Sequence, residues 1–238
     1  MTLLAVDRLD VHIQSSQILR GVSVRVEPRE VVCLVGRNGA GKTTTLRTIM
    51  GYRRPSGGTI AFKGEPIAGL PTHAIARRGI GFAPEESEIF ADLTVAENIE
   101  IATWTRPTTR AGAERIALAY EMFPRLRAYA RRGGAQISGG ERKMLSIARA
   151  LALDAELLLL DEPFEGLSPA IVPTIAQSIA AITGLERGVL LAESNIHHVP
   201  AFASRLYVIE RGEIVFAGSL DEAHRDAAVL RVIGGKAS

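Results

Sequence analysis

The chain has 238 residues, 47% hydrophobic and 23% charged, an ordinary globular balance large enough for one α/β domain with a sizeable core. A formal net charge of +2 argues against a broadly basic nucleic-acid binder, and a single cysteine, Cys33, excludes an internal disulfide and suits a reducing cytoplasm. No apolar run reaches the length of a membrane span and MTLLAVDRLD lacks the features of a secretory signal, so the chain is expected to be soluble and to dock onto other subunits for any membrane role.

From Leu3 to Val26 the pattern predicts short strands, with alternation clearest at Val22, Val24 and Val26. Thr59 to Phe62 resumes it after the turn-forming PSGG at Pro55 to Gly58, which predicts a small antiparallel sheet. Val31 to Val35, Leu157 to Leu160 and Val189 to Ala192 are continuous apolar runs, as expected of parallel strands covered by helices on both faces. Between Glu85 and Glu156 the character is helical, and Met144, Ile147, Ala148 and Leu151 fall on one face. This stretch reads as a helical insert (85–156) in a core formed by 1–84 and 157–238, all within a single domain. The tail predicts a strand pair, Leu206 to Ile209 and Ile214 to Ala217, and then helix to Gly234.

Gly36 to Thr43 reads GRNGAGKT, directly after an apolar strand and before a helix that packs through Leu46, Ile49 and Met50 and stops near Gly51. This is the phosphate-loop pattern in its required context. Backbone N–H groups from Gly36, Arg37, Asn38, Gly39, Ala40 and Gly41 can turn inward around phosphates at the positive end of the helix that Lys42, Thr43 and Thr44 open. Lys42 can reach terminal phosphates and Thr43 can ligate Mg²⁺.

Leu157 to Glu162 reads LLLLDE, a strand delivering two carboxylates at its C-terminal end, where ligands of open α/β sheets bind. Asp161 suits the surroundings of Mg²⁺, and Glu162 is placed to polarise a water for attack on a γ-phosphate. Alone, the pair would serve equally to cap the helix after Pro163; the phosphate loop upstream tips the balance. Ile137 to Gly140 reads ISGG, so Ser138, Gly139 and Gly140 open a helix as a second anion site, as a capping box with Glu141, or as both.

The phosphate loop, the SGG signature and the LLLLDE strand resemble, in order and spacing, the ATPases of ABC transporters, and the likeness spans nearly the whole chain. It implies a RecA-like phosphate-loop NTPase core of α/β class with an antiparallel β subdomain and an inserted helical subdomain, hydrolysing ATP with Mg²⁺. In that family two subunits sandwich two ATP molecules, so Ser138, Gly139 and Gly140 would serve the partner's ATP. Finer details resemble the branch that imports branched-chain and hydrophobic amino acids, urea and amides. Pro84-Glu85 stands where most ABC ATPases carry a glutamine that senses γ-phosphate and Mg²⁺, EPFEGLSP (Glu162 to Pro169) resembles EPxxGLxP with Ser168 for the usual aspartate, and VIGG (Val232 to Gly235) resembles the closing Leu-Gly.

Two positions depart from the wider family. Ser194 occupies the place of the switch histidine, which implies a slow site and favours a heterodimer over a homodimer. His12 and Ile13 stand where an aromatic residue stacks on adenine, with His12 suited to stacking and Ile13 to apolar packing. His197 and His198 lack further ligands at metal spacing and are expected to be solvated or capping. Arg125, Arg127, Arg131 and Arg132 are expected to form a solvated face without nucleic acid. The resemblance implies integral permease subunits, an external substrate-binding protein and a peripheral place on the cytoplasmic face of the inner membrane. A cassette for export or lipopolysaccharide extraction would look very similar, and a non-transport ABC switch ATPase is a further alternative.

Overall fold

The computed structural model describes residues 2–233; Gly234 and Gly235 of the VIGG motif lie outside them. Chain order begins with β1 (Leu4–Ile13), β2 (Ser16–Val26), β3 (Val31–Val35), α1 (Lys42–Ile49), β4 (Gly57–Phe62), β5 (Glu65–Pro66), α2 (Thr72–Arg78) and β6 (Ile80–Ala83). Four helices follow, α3 (Val95–Thr103), α4 (Gly112–Met122), α5 (Pro124–Ala128) and α6 (Gly139–Ala152). The chain then forms β7 (Leu157–Asp161), α7 (Val172–Gly184), β8 (Gly188–Glu193), β9 (Arg205–Glu210), β10 (Glu213–Gly218), α8 (Leu220–Arg225) and α9 (Ala227–Ile233).

The strands build two sheets. One is antiparallel, in the order β2-β1-β4-β5; the other runs β10-β9-β3-β8-β7-β6, parallel except for the edge strand β10. The N-terminal strands are longer than the alternation suggested. Each side of a two-residue turn at Gln14 and Ser15 runs ten residues or more, and the register shifts between Val6 and His12 mark bulges, with Arg8 at φ 46°, that hide the period from a sequence reading.

Alternation within the apolar runs explains how the layers stack. Val31, Cys33, Val35, Leu158, Leu160, Val189 and Leu191 enter a core shared with the helices of 95–184, whereas Val32, Leu34, Leu157, Leu159, Leu190 and Ala192 enter a core shared with α1 and the antiparallel sheet. Because both faces are covered, neither set of positions tolerates a polar residue, and the period of two vanishes into a continuous run. Met144, Ile147, Ala148 and Leu151 of α6 are buried as expected. The helical stretch therefore packs on the central sheet through a continuous core.

A buried ion pair closes the end of this sheet that is remote from the motifs. Arg187, before β8, donates to Asp154 Oδ1 at 2.7 Å and to the Ala155 carbonyl, and is almost fully buried. Burial alone would raise the Asp154 pKa, but the hydrogen bond and charge of Arg187 hold it below the ordinary carboxylate value. Asp154→Asn is expected to cost roughly 1–3 kcal/mol at pH 7, mainly by leaving a buried guanidinium unpaired. A depressed carboxylate contributes stability above its ordinary pKa and loses it as pH falls through the folded one, so the gap between wild type and variant should close in acid. Denaturant unfolding of both proteins between pH 7 and pH 3 measures this; equal midpoints at pH 7 would refute it.

Candidate nucleotide site

The parallel strands bring three chain segments to one edge. Gly36 N donates to the Glu193 carbonyl at 3.1 Å, joining the start of the phosphate loop to the end of β8. A Cβ at Gly36 would lie 2.3 Å from the Ile209 carbonyl, so the loop passes β9 only as glycine. Gly41, at φ 116°, turns the chain into α1 through a left-handed conformation that side chains disfavour. Lys42 then folds back over the loop: its Nζ donates to the Gly36 carbonyl at 2.8 Å and pairs with Glu162 Oε1 at 3.1 Å.

At the end of β7 the two carboxylates part company. Glu162 adopts φ 47° and its N–H donates to the Ala192 carbonyl at 3.0 Å, a strained turn of the sort that functional sites hold. Glu162 Oε2 accepts from Ser194 N–H at 3.0 Å. Asp161 Oδ1 accepts from the Thr43 hydroxyl at 3.1 Å, while its buried Oδ2 has no hydrogen-bond partner. Burial pushes the Asp161 carboxyl up to about 6, against the hydrogen bond from Thr43 and with the help of the Glu162 charge. An orphaned carboxylate oxygen beside a hydroxyl is a donor set that fits Mg²⁺, which keeps waters and phosphate oxygens in its remaining positions. Among the described residues no cluster of three or more His, Cys, Asp or Glu is placed to hold a metal.

A pocket of about 330 Å³ opens over these groups. Asn38, Gly39, Gly41, Lys42, Thr43 and Thr44 line its floor, Glu85 and Glu162 one side, and Ile13 and Ile18 the other. His12 is not among the lining residues. Successive strand residues face opposite ways, and the His12 ring is hydrogen-bonded to the Ser56 hydroxyl at 2.8 Å, so the apolar wall is Ile13, joined by Ile18, which the motif reading missed. Gly36, Arg37 and Ala40 shape the loop from behind: the Arg37 carbonyl accepts from Ala40 N at 3.0 Å and the Ala40 carbonyl from Gly212 N at 2.9 Å.

Ser194 also differs from expectation. Its backbone holds Glu162, but the residue lines a separate cavity with Arg37, Asn38 and Ile233 rather than this pocket. The Glu85 carboxyl has its pKa raised by burial and by Glu165, Glu86 and Glu162. The Glu85 carbonyl accepts from Lys143 Nζ, from α6, at 2.6 Å, a link the sequence did not announce.

Ser138 forms the reciprocal capping box with Glu141, accepting from its N–H while Ser138 N donates to the Glu141 carboxylate at 2.8 Å. Ser138 and Gly139 are exposed and lie outside the pocket of their own chain. The arginine cluster is exposed as expected, with Arg132 stacked on Tyr129, Arg127 on Tyr120, and Arg125 paired to Glu141. His198 departs from expectation: its Nδ1 lies 3.1 Å from the wholly buried Glu193 carboxyl.

A phosphate loop at the carboxyl edge of a mostly parallel sheet, with an aspartate meeting its threonine and a glutamate behind, defines a phosphate-loop nucleotide hydrolase. The family model for "ABC transporter" matches residues 19–165, and the chain belongs to that family of ATPases. Its relatives include the lipopolysaccharide export system ATP-binding protein LptB of Haemophilus influenzae, 36% identical over 238 residues, 99% of this chain and 98% of the relative. BraG of Pseudomonas aeruginosa, a high-affinity branched-chain amino acid transport ATP-binding protein, is 38% identical over 216 residues, 90% and 91% of the two chains. Among solved structures, a nucleotide-free ATP-binding cassette from an ABC transporter superposes with a TM-score of 0.85 over 99% of this chain and 100% of the other, at 22% identity.

The geometry separates His12 from Ile13 experimentally. Ile13→Ala combined with Ile18→Ala is expected to weaken ATP binding by about tenfold through lost apolar contact, while His12→Ala changes it less than about twofold. Fluorescent-nucleotide titration decides between them, and the opposite ranking would restore His12 as the adenine contact.

Proposed function

We propose that this ABC ATPase couples Mg-ATP hydrolysis to a membrane importer of branched-chain amino acids or related small solutes. The observation that carries the reading is Glu85: it follows Pro84, as in the importer branch, and lines the pocket opposite the phosphate loop with Glu162. Similarity to BraG supports it. A second reading, lipopolysaccharide export, draws on the likeness to LptB over 99% of the chain.

In this reading the loop N–H groups and Lys42 bind the phosphates, and Lys42 exchanges its contact with Glu162 for the terminal phosphate. Thr43 and Asp161 would hold Mg²⁺, which would supply neutralising charge to the bound phosphates. Glu162, released from Lys42 yet still held by Ser194 N–H, orients and polarises the attacking water. The partner cassette closes its own ATP against Ser138, Gly139 and Gly140. No helix among the described residues is long and apolar enough to cross a membrane, so docking onto permease subunits is part of the proposal, at the cytoplasmic face of the membrane. A separate cavity of about 390 Å³ between the central sheet and the helices, lined by Tyr52, Phe82, Phe90, Ile101 and Arg149, suits an inserted permease helix. Tyr52 and Phe90 are exposed there, and Arg149 lies over the Phe90 ring at 4.7 Å.

Three measurements test this. Glu162→Gln should bind ATP normally and lose at least about a hundredfold in turnover, whereas Lys42→Ala should lose nucleotide binding itself; wild-type turnover in Glu162→Gln removes it as the base. Because a serine replaces the switch histidine, the isolated homodimer should be slow, and Lys42→Ala in this chain alone should impair the native assembly less than the matching change in a partner cassette. Co-purification from native membranes decides the cargo: amino-acid permeases and a binding protein support import, and a lipopolysaccharide-export bridge overturns it.

A further inference from the structure

Three chain segments border the cavity between Tyr52 and Phe90, and they share one electrostatic character. Met50 and Tyr52, Thr72 and Ala76 of α2, and Ile101 and Thr105 to either side of Trp104 line it. Residues 31–64, 66–84 and 101–113, which contain these segments, have no aspartate or glutamate. Arg106 fastens the third segment to the second, its Nε donating to the Arg77 carbonyl at 3.1 Å. A Cβ at Gly69, just ahead of α2, would lie 3.9 Å from Arg54 Nε, which ties the first segment to the second. Arg53, Arg54, Arg77 and Arg78 are exposed on this surface and make no ion pair among the described residues. The acids near them are engaged elsewhere or outnumbered: Glu86 lies 3.7 Å from Arg47, Glu156 2.7 Å from Arg106, Glu88 beside Arg149, and Glu100 is exposed one turn before Trp104. Trp104 closes α3 with 72% of its surface exposed, and it is the only tryptophan in the chain.

We propose that this face binds an anionic lipid surface directly, with Arg53, Arg54, Arg77 and Arg78 at the headgroup phosphates and the Trp104 ring lodged among the headgroups. It goes beyond the importer reading, since it requires neither a permease nor a cargo. Charge complementarity selects the occupant. Unpaired guanidinium groups meet lipid phosphates at an anionic bilayer, and each such cation strengthens attachment by about fivefold. An indole, apolar over most of its ring and polar at its N–H, favours the boundary between water and acyl chains over either one alone. The four arginines and Trp104 are not among the residues that line the cavity, so a helix seated inside it leaves them uncovered. The other basic cluster lacks this combination. Arg125 is paired to Glu141, and Arg127 and Arg132 lie over tyrosine rings, with no strongly exposed apolar side chain among them.

The test uses the full-length chain and two kinds of vesicle, phosphatidylcholine alone and phosphatidylcholine with about 30% phosphatidylglycerol. Sedimentation should show at least about tenfold tighter binding to the anionic vesicles, lost in about 0.5 M salt, which screens the headgroup charge. Because Trp104 is the only tryptophan, its emission reports this face alone: it should move to shorter wavelength on binding and be quenched by lipids brominated high on the acyl chain. Arg77→Glu with Arg78→Glu should weaken binding by at least about tenfold, whereas Arg131→Glu with Arg132→Glu should change it less than about threefold. ATPase activity without lipid should match wild type in both double variants, which separates lost attachment from lost fold. Where a charge reversal fails that control, the Trp104 emission of the wild-type protein carries the test. Equal binding to the two vesicles, binding that leaves Trp104 emission unmoved, or an equal loss from the reversal at 131 and 132 overturns the proposal. Shielding of Trp104 in native membranes but not in lipid vesicles makes the face a protein contact and overturns it too. None of these outcomes bears on Glu162 or on the cargo, so the importer reading stands or falls separately.

Discussion

Burying Lys42 and Glu162 to 5% and 3% exposure is tolerable because each neutralises the other across 3.1 Å. A lone charge in that position would cost several kcal/mol of solvation. The pair therefore sets the geometry of everything near it. The phosphate loop must curl so that the Gly36 carbonyl reaches the lysine, and the chain after β7 must take the strained φ of Glu162 for its carboxylate to arrive. Register between β3, β7 and β8 brings Val35 level with Glu193, and Asp161 level with Ala192, so three distant stretches of sequence meet at one edge. The apolar runs that pack the two cores are what hold that register, since a slip of one residue would exchange their faces.

Much of this was legible in the sequence because the chemistry there is local. A phosphate loop needs its glycines, lysine and threonine at fixed spacing, and a strand ending in two acids announces itself, so Gly36 to Thr43 and Asp161 with Glu162 are recognisable without the fold. The continuous runs at 31–35, 157–160 and 189–192 were equally plain, because strands covered on both faces leave no polar positions. What escaped were facts that depend on where a side chain points or on who stands beside it in space. His12 and Ile13 differ by one residue, yet strand alternation puts one against Ser56 and the other over the phosphate loop. Bulges in β1 concealed that alternation.

The histidines after β8 teach the same lesson. Read in sequence, His197 and His198 lack further ligands at metal spacing and are expected to be solvated or capping. In the fold the turn from Asn195, whose side chain accepts from His197 N–H, aims His198 inward at a buried acid. Ser194 shows the complementary case. It lines a neighbouring cavity with Arg37 and Asn38, while its backbone amide holds Glu162 at the edge of the nucleotide pocket. Side-chain identity is what a motif records, and a backbone donor is invisible to it.

Cys33 lies in the middle of β3, wholly buried between the sheet and the helices, and burial followed by the charge of Glu193 raises its thiol pKa far above the ordinary range. Such a thiol offers neither access nor thiolate to a maleimide. The wild-type sequence is thus already a cysteine-silent background for spectroscopy. A single reporter introduced on the exposed stretch at 138–139, or on either side of the cleft between Tyr52 and Phe90, can be labelled selectively without first removing a residue that the interior needs.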